Sequence, residues 1–246
     1  MILEGIHERC NGLKILDSRY TGKTDKSRRG SYDNIMIGIV DYRAGNLTSV
    51  ARALNYLEEP CRISDDPGVL EQASHIIFPG VGAAGEAMAN LKKSRLDQWI
   101  REWVQQGKPI MGICLGTQVI FEYSEENDTQ CLGIIPGAVK RFPQNIRQNG
   151  EQLKIPHMGW NHVTFQKDHP VFRGLPEGSE FYFVHSYYPS PDDDKWIIGL
   201  TDYGQLFCSV VAHRNLVATQ FHPEKSGRPG LQILINFCRW EGQDAE

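Results

Sequence analysis

No apolar stretch in this 246-residue sequence approaches the roughly 18 residues that a membrane-spanning helix needs, which argues against a membrane-embedded chain. Nor is there a broad excess of positive charge. Lys and Arg total 26 against 30 Asp and Glu, a formal net charge of −4. That balance excludes a general nucleic-acid binder and leaves room only for a local phosphate site. The six cysteines, Cys10, Cys61, Cys114, Cys131, Cys208 and Cys238, include no C-x-x-C pair, so they need no disulfide framework and suit a reducing cytoplasm. The eight histidines form no cluster with metal-ligand spacing, so neither metal nor cofactor is expected. The first 34 residues carry seven basic and five acidic side chains without the 7–15-residue apolar core of a secretory signal. Internal repeats and low-complexity tracts are also missing. What remains, 40% hydrophobic and 23% charged, is globular and long enough for one compact domain with an appendage.

A boundary falls near residue 35, where a mixed-charge stretch gives way to the apolar run Ile35-Met36-Ile37-Gly38-Ile39-Val40. Residues 1–34 are read as an N-terminal extension: flexible, an expression remnant, or sequence upstream of a start at Met36. The domain proper is read as 35–241. Its apolar opening suits a strand buried on both faces, followed by helical spacing at Leu47, Val50, Leu54 and Leu57. Ile76-Ile77-Phe78 predicts a second strand, and Leu96, Trp99, Ile100, Trp103 and Val104 a packed helix. Pro109 to Ile113 follows as strand and Leu115 to Tyr123 as helix. This alternation predicts an α/β fold with a largely parallel central sheet flanked by helices. The runs 180–187, 196–200, 207–212 and 216–221 are expected as added antiparallel strands, and Leu231 to Trp240 as a closing helix.

Gly112-Ile113-Cys114-Leu115-Gly116 has the G-x-Nuc-x-G form of a nucleophile elbow, a strained strand-to-helix turn in which glycines relieve crowding around the reactive side chain. Cys114 then stands at a helix N-terminus, where the dipole and free N–H groups favour the thiolate and the Leu115 N–H faces a developing oxyanion. Alone, the motif equally describes a buried cysteine in a packing turn. The second signal is Phe221-His222-Pro223-Glu224. Residues i and i+2 of an extended segment point to one side, so Glu224 can orient the His222 imidazole as the third member of a triad. Cys114, His222 and Glu224 together predict cysteine-based hydrolysis or acyl transfer. Between them, Pro79-Gly80-Val81-Gly82 allows close backbone approach, with the Val81 N–H as a second oxyanion donor.

These motifs resemble the class I, triad-type glutamine amidotransferases, with Cys in Gly112 to Gln118 and the distal His222-Pro223-Glu224. Within that family the set Asp41 to Asn46, Pro79 to Gly82, Met111 to Gly116, Gly133 to Gly137, Pro156 to Asn161, Phe183 to Tyr187 and Gln220 to Ser226 is most similar to glutaminase subunits of imidazole glycerol phosphate synthases, over Met36 to about Trp240. The resemblance implies hydrolysis of glutamine and delivery of ammonia to a (β/α)8-barrel cyclase subunit, which forms imidazole glycerol phosphate and AICAR in histidine biosynthesis. It implies substrate contacts at Gly80, Gly82, Gln118, Ser186 and Tyr187. It also implies a Val81 peptide that rotates before it donates, and a cyclase-facing surface of His157, Met158, Trp160, Asn161, His185 and Lys225. Nucleic acid and membrane are not expected partners.

Two positions depart from the family pattern: Arg43 where a small residue or glycine is common, and Thr117 where an aliphatic is frequent. Neither is a reacting group. They leave open a glutaminase that serves an N-acetyl-sugar amidotransferase of surface-polysaccharide synthesis. The residue pattern is also compatible with a catalytically silent synthase-binding scaffold or a free-standing cysteine peptidase.

Overall fold

The computed structural model describes residues 36–243; the expected extension over 1–34 lies outside them. In chain order the first half contains β1 (Ile37–Val40), α1 (Leu47–Tyr56), β2 (Cys61–Ser64), the short α2 (Pro67–Leu70), β3 (His75–Gly80), α3 (Ala84–Lys93), α4 (Leu96–Gln105), β4 (Ile110–Cys114) and α5 (Leu115–Val119). Then come β5 (Phe121–Ser124), β6 (Thr129–Gln130), β7 (Ile135–Arg141), β8 (Arg147–Gln148), β9 (Glu151–Gln152), β10 (His157–His162), β11 (Thr164–Phe165), β12 (Glu180–His185), β13 (Tyr187–Pro191), β14 (Ile197–Asp202), β15 (Leu206–His213), β16 (Leu216–Thr219) and α6 (Gly227–Cys238).

Eight strands form the main sheet in the order β11-β14-β15-β16-β4-β3-β1-β2. The segment from β16 to β2 is parallel, and the remaining pairs are antiparallel. Strand alternation sorts the apolar side chains into two cores. Ile76, Phe78 and Ile110 join one core, where α3 and α4 contribute Met88, Leu91, Trp99, Ile100 and Trp103. Ile39, Ile77, Met111 and Ile113 join the other, where α1 and α6 contribute Val50, Leu54, Ile233, Leu234 and Phe237. Because β1, β3, β4 and β16 are covered on both faces, whereas the edge strand β2 is not, β1, β3 and β4 read as unbroken apolar runs rather than alternating ones. The predicted architecture is present.

Several elements depart from expectation. The helix expected from Leu115 to Tyr123 ends at Val119, because Phe121–Ser124 pairs with β7 in a second sheet, β13-β7-β5-β6. The run 216–221 is only half antiparallel: β16 runs against β15 but parallel to β4. That junction matters for chemistry, since it sets the end of β16 beside the end of β4. The run 180–187 is antiparallel as expected but lies outside the main sheet: Glu180–His185 pairs with β10 as a two-stranded ribbon, and Tyr187 opens β13 beside β7.

Gly112 and Gly116 serve this packing directly. A Cβ on Gly116 would fall 1.8 Å from the Phe78 carbonyl oxygen, and one on Gly112 would meet the backbone of residues 116 and 117. The elbow therefore closes onto β3 only with glycine at 116. Among the described residues, no helix is long and apolar enough to cross a membrane.

Candidate active site

Cys114, the last residue of β4, adopts φ 54° and ψ −105°. A non-glycine residue there is strained, and the strain marks the abrupt change from strand to helix that an elbow requires. Leu115 opens α5, so its N–H belongs to the first-turn donors that have no intrahelical partner. The thiol is 6% exposed. Its Sγ receives the Gln220 side-chain amide at 3.7 Å and lies 3.9 Å from the Val184 carbonyl oxygen.

His222 follows β16 and is fully buried. Its Nδ1 lies 2.7 Å from Glu224 Oε1, and both side chains are completely enclosed. A carboxylate only accepts, so Nδ1 carries the proton and Nε2 is the basic nitrogen of the neutral ring. Among the described residues that Nε2 is buried without a hydrogen-bond partner, and Cys114 is the group that acts on the ring besides Glu224. Burial disfavours the imidazolium, yet the Cys114 charge and the Glu224 hydrogen bond outweigh it and raise the pKa of His222 well above an ordinary imidazole. Burial likewise opposes ionisation of Glu224, but the bonds from His222 and Asn46 hold its carboxyl below the usual range.

Asn46, unassigned from sequence, donates from Nδ2 to Glu224 Oε1 at 2.5 Å. It sits in the left-handed region at φ 65°, which asparagine tolerates better than most residues. Arg43 also has a left-handed backbone, φ 66°, which explains why a glycine suits that position. Here its N–H is held by Asp41 Oδ1 at 2.9 Å. Thr117, the other unusual residue, is buried and donates its hydroxyl to the Thr219 carbonyl at 2.6 Å. Both departures are thus accommodated without disturbing the triad.

A cavity of about 300 Å³ opens over Cys114, bordered by Val81, Gly82, Gln118, Glu126, Ser186 and Tyr187 among others. Gln118 spends its amide N–H groups on the Tyr187 carbonyl at 3.0 Å and the Gln220 Oε1 at 3.1 Å, so the amide oxygen is its free function. Glu126 is the wall's acidic group and is steadied by the Ala84 N–H at 2.7 Å. Sequence reasoning passed over it because it stands in an unremarkable acidic turn. Gly80, expected to touch substrate, does not border the cavity: Tyr42 covers it. The Val81 N–H, expected as an oxyanion donor, is bound to the Ala44 carbonyl at 2.7 Å. Of the two expected oxyanion donors, only Leu115 keeps a first-turn N–H without an intrahelical partner. A larger groove of about 600 Å³, around Arg141, Gln144, Gln152 and Lys154, contains none of the triad.

The six residues expected to face a partner divide into two groups. Met158 and Trp160 are 62% and 51% exposed, and Trp160 stands edge-on to Tyr182, over whose ring the exposed Lys225 lies. Alternation along β10 turns His157 inward and Asn161 partly so, while His185 faces His157 from β12. His157 and His185 are 2% and 5% exposed, so the expectation that their side chains form a partner surface is corrected. They bond to each other, Nδ1 to Nε2, at 2.9 Å, while His185 Nδ1 meets the Tyr187 carbonyl at 2.7 Å and Asn161 Nδ2 approaches His157 Nε2 at 3.3 Å. This chain is satisfied when both rings are neutral with the proton on Nδ1. Burial enforces that state, lowering the pKa of His157 to about 4 and that of His185 to about 3.

Residues 39–240 match the family model for class I glutamine amidotransferases. The chain belongs to the class I glutamine amidotransferase family. Among curated relatives, an imidazole glycerol phosphate synthase subunit HisH of Nitratidesulfovibrio vulgaris is 49% identical over 214 residues, covering 86% of this chain and all of the relative. One of Dehalococcoides mccartyi is 49% identical over 205 residues, covering 83% and 97%. The fold also recurs in solved structures of low identity. A glutamine amidotransferase crystal structure matches with TM-score 0.63 at 18% identity, covering 82% of this chain and 98% of that one. PurLQS from Thermotoga maritima matches with TM-score 0.64 at 16%, covering 84% and 98%. As in other open α/β sheets, this amidotransferase site lies at the carboxyl ends of the parallel strands. Here those are β1, β3, β4 and β16.

Proposed function

We propose that this chain is the glutaminase subunit of an imidazole glycerol phosphate synthase, acting in the cytoplasm, with 35–241 as its enzyme domain and 1–34 as an N-terminal extension. The observation that carries the reading is the 49% identity maintained over the whole length of a HisH subunit.

In the proposed reaction Cys114 Sγ attacks the glutamine amide carbon as His222 Nε2 takes the thiol proton. The resulting imidazolium stays paired with Glu224. The tetrahedral oxyanion accepts the Leu115 N–H and, after the peptide turns, that of Val81. His222 returns its proton to the amide nitrogen, ammonia leaves, and a γ-glutamyl thioester remains. Water, deprotonated by the same nitrogen, then releases glutamate and regenerates the thiol. Glu126 receives the substrate ammonium, and the Gln118 amide oxygen, Ser186 and Tyr187 complete the glutamine site. Ammonia crosses to a (β/α)8-barrel cyclase through the face bearing Met158, Trp160 and Lys225, where it enters imidazole glycerol phosphate and AICAR formation. No nucleic acid or membrane takes part.

The partner assignment is tested by affinity capture of the tagged chain from its own cells, with the bound proteins identified by mass spectrometry and then assayed. A barrel cyclase that copurifies and raises glutamine turnover at least tenfold is the expected result. Recovery of an N-acetyl-sugar amidotransferase in its place would overturn it.

A further inference from the structure

Tyr42 lies in the stretch 41–46 but takes no part in the proposed reaction. Its ring packs on Phe78 with centroids 5.0 Å apart, and the residue is 2% exposed. Its hydroxyl is buried without a hydrogen-bond partner among the described residues. A buried phenol normally finds one, and phenylalanine would fill the same space with no polar atom to satisfy. The hydroxyl oxygen rests against Gly80, 1.8 Å from where a Cβ on that residue would stand. An unused donor is therefore lodged on the backbone that leads into the Gly80–Val81 peptide.

The orientation of that peptide gives the donor a purpose. The Val81 N–H points to the Ala44 carbonyl, on the β1 side of β3, whereas Cys114 lies across β3 on the β4 side, in register with Gly80. In a planar trans peptide the carbonyl points opposite to the N–H. The Gly80 oxygen is accordingly directed toward the β4 side, where an oxyanion on Cys114 would meet an acceptor instead of a donor. Turning the peptide over presents the Val81 N–H to the oxyanion, but it also brings the Gly80 oxygen toward the Ala44 oxygen. Two acceptors facing each other need a donor between them.

We propose that the Tyr42 hydroxyl supplies that donor, bonding the Gly80 carbonyl once the peptide has turned, and so acts as a positioning residue for the oxyanion hole. Burial, with the nearby Cys114 charge adding to it, holds the phenol pKa well above its ordinary value, so the proton is available throughout the working pH range. The proposal rests on the glutaminase reading, since it assumes an oxyanion on Cys114.

Tyr42→Phe in complex with the cyclase tests it. The expected result is a fall in kcat for glutamate formation of about 10- to 100-fold, below the loss typical of removing a direct oxyanion donor. KM for glutamine and the rate of Cys114 alkylation by iodoacetamide should stay within twofold. The melting temperature should hold or rise, because an unpaired buried hydroxyl has been removed. Glutamate γ-semialdehyde, which forms a thiohemiacetal on the cysteine and reads the oxyanion site without turnover, should bind at least tenfold more weakly. An unchanged kcat with equal semialdehyde affinity would overturn the proposal, as would parallel losses of kcat, alkylation and melting temperature. Failure of the wild-type complex to hydrolyse glutamine would instead overturn the proposed function, and the semialdehyde comparison separates the two.

Discussion

Cys114→Ala is expected to lower glutamine hydrolysis by the cyclase complex by roughly 10⁴- to 10⁶-fold, the scale on which removal of a triad nucleophile acts. The reason is local. In the proposed reaction Sγ is the nucleophile and His222 Nε2, without a hydrogen-bond partner among the described residues, is its base; the other neighbours of Sγ are a side-chain amide and a carbonyl. None of these can replace it. Removing one sulfur from a position where the backbone is already strained should leave the fold intact. The same complex given ammonium in place of glutamine should therefore make its product at the wild-type rate. Loss of both activities would indicate structural damage, and retention of glutamine turnover would remove Cys114 from the mechanism. Steady-state glutamate release with glutamine, beside product formation with each nitrogen source, makes the distinction.

Glu224→Gln should be the next most damaging change, lowering kcat by roughly 10³- to 10⁴-fold, as changes to the third triad residue do. The substituted amide can still accept the Asn46 and His222 hydrogen bonds through its oxygen, so ring position can survive. What is lost is the buried negative charge that favours the imidazolium. Without it His222 titrates at lower pH. The proton received from Cys114 is then held less well. The protein should still fold because the imidazole can remain neutral, which avoids leaving an unpaired buried charge. Kinetics beside a thermal melt check both parts: a variant within tenfold of wild type would show that orientation alone, without charge, suffices.

How far the sequence could be read depended on whether the controlling contacts were local. The elbow was legible because Gly112, Cys114 and Gly116 lie within five residues, although the contact that requires glycine at 116, with the Phe78 carbonyl of β3, is not local. His222 and Glu224 were legible for the same reason. Asn46, Gln220 and Tyr42 stand inside legible motifs without a legible role, since their significance comes from contacts made 38 to 178 positions away in the chain. The inward turn of His157 and His185 depended on the pairing of β10 with β12, which no periodicity within Pro156 to Asn161 reveals. Phe121–Ser124 looked helical for a related reason: its apolar residues fit a continuing amphipathic helix, and only its partner β7, with Gly137 at φ 125° lying against the Ser190 and Pro191 backbone, makes the strand favourable. The parallel half of the sheet, by contrast, declared itself through strands buried on both faces.

Transfer of nitrogen offers the most direct test of the proposed function. The reconstituted synthase would receive glutamine labelled with ¹⁵N in the side-chain amide together with an excess of unlabelled ammonium at a pH where little free ammonia is present, and imidazole glycerol phosphate would be collected for mass spectrometry. A chain that hydrolyses glutamine at Cys114 and passes ammonia directly to its cyclase predicts product carrying ¹⁵N, with the label disappearing in Cys114→Ala. Unlabelled product from the wild-type complex would contradict it.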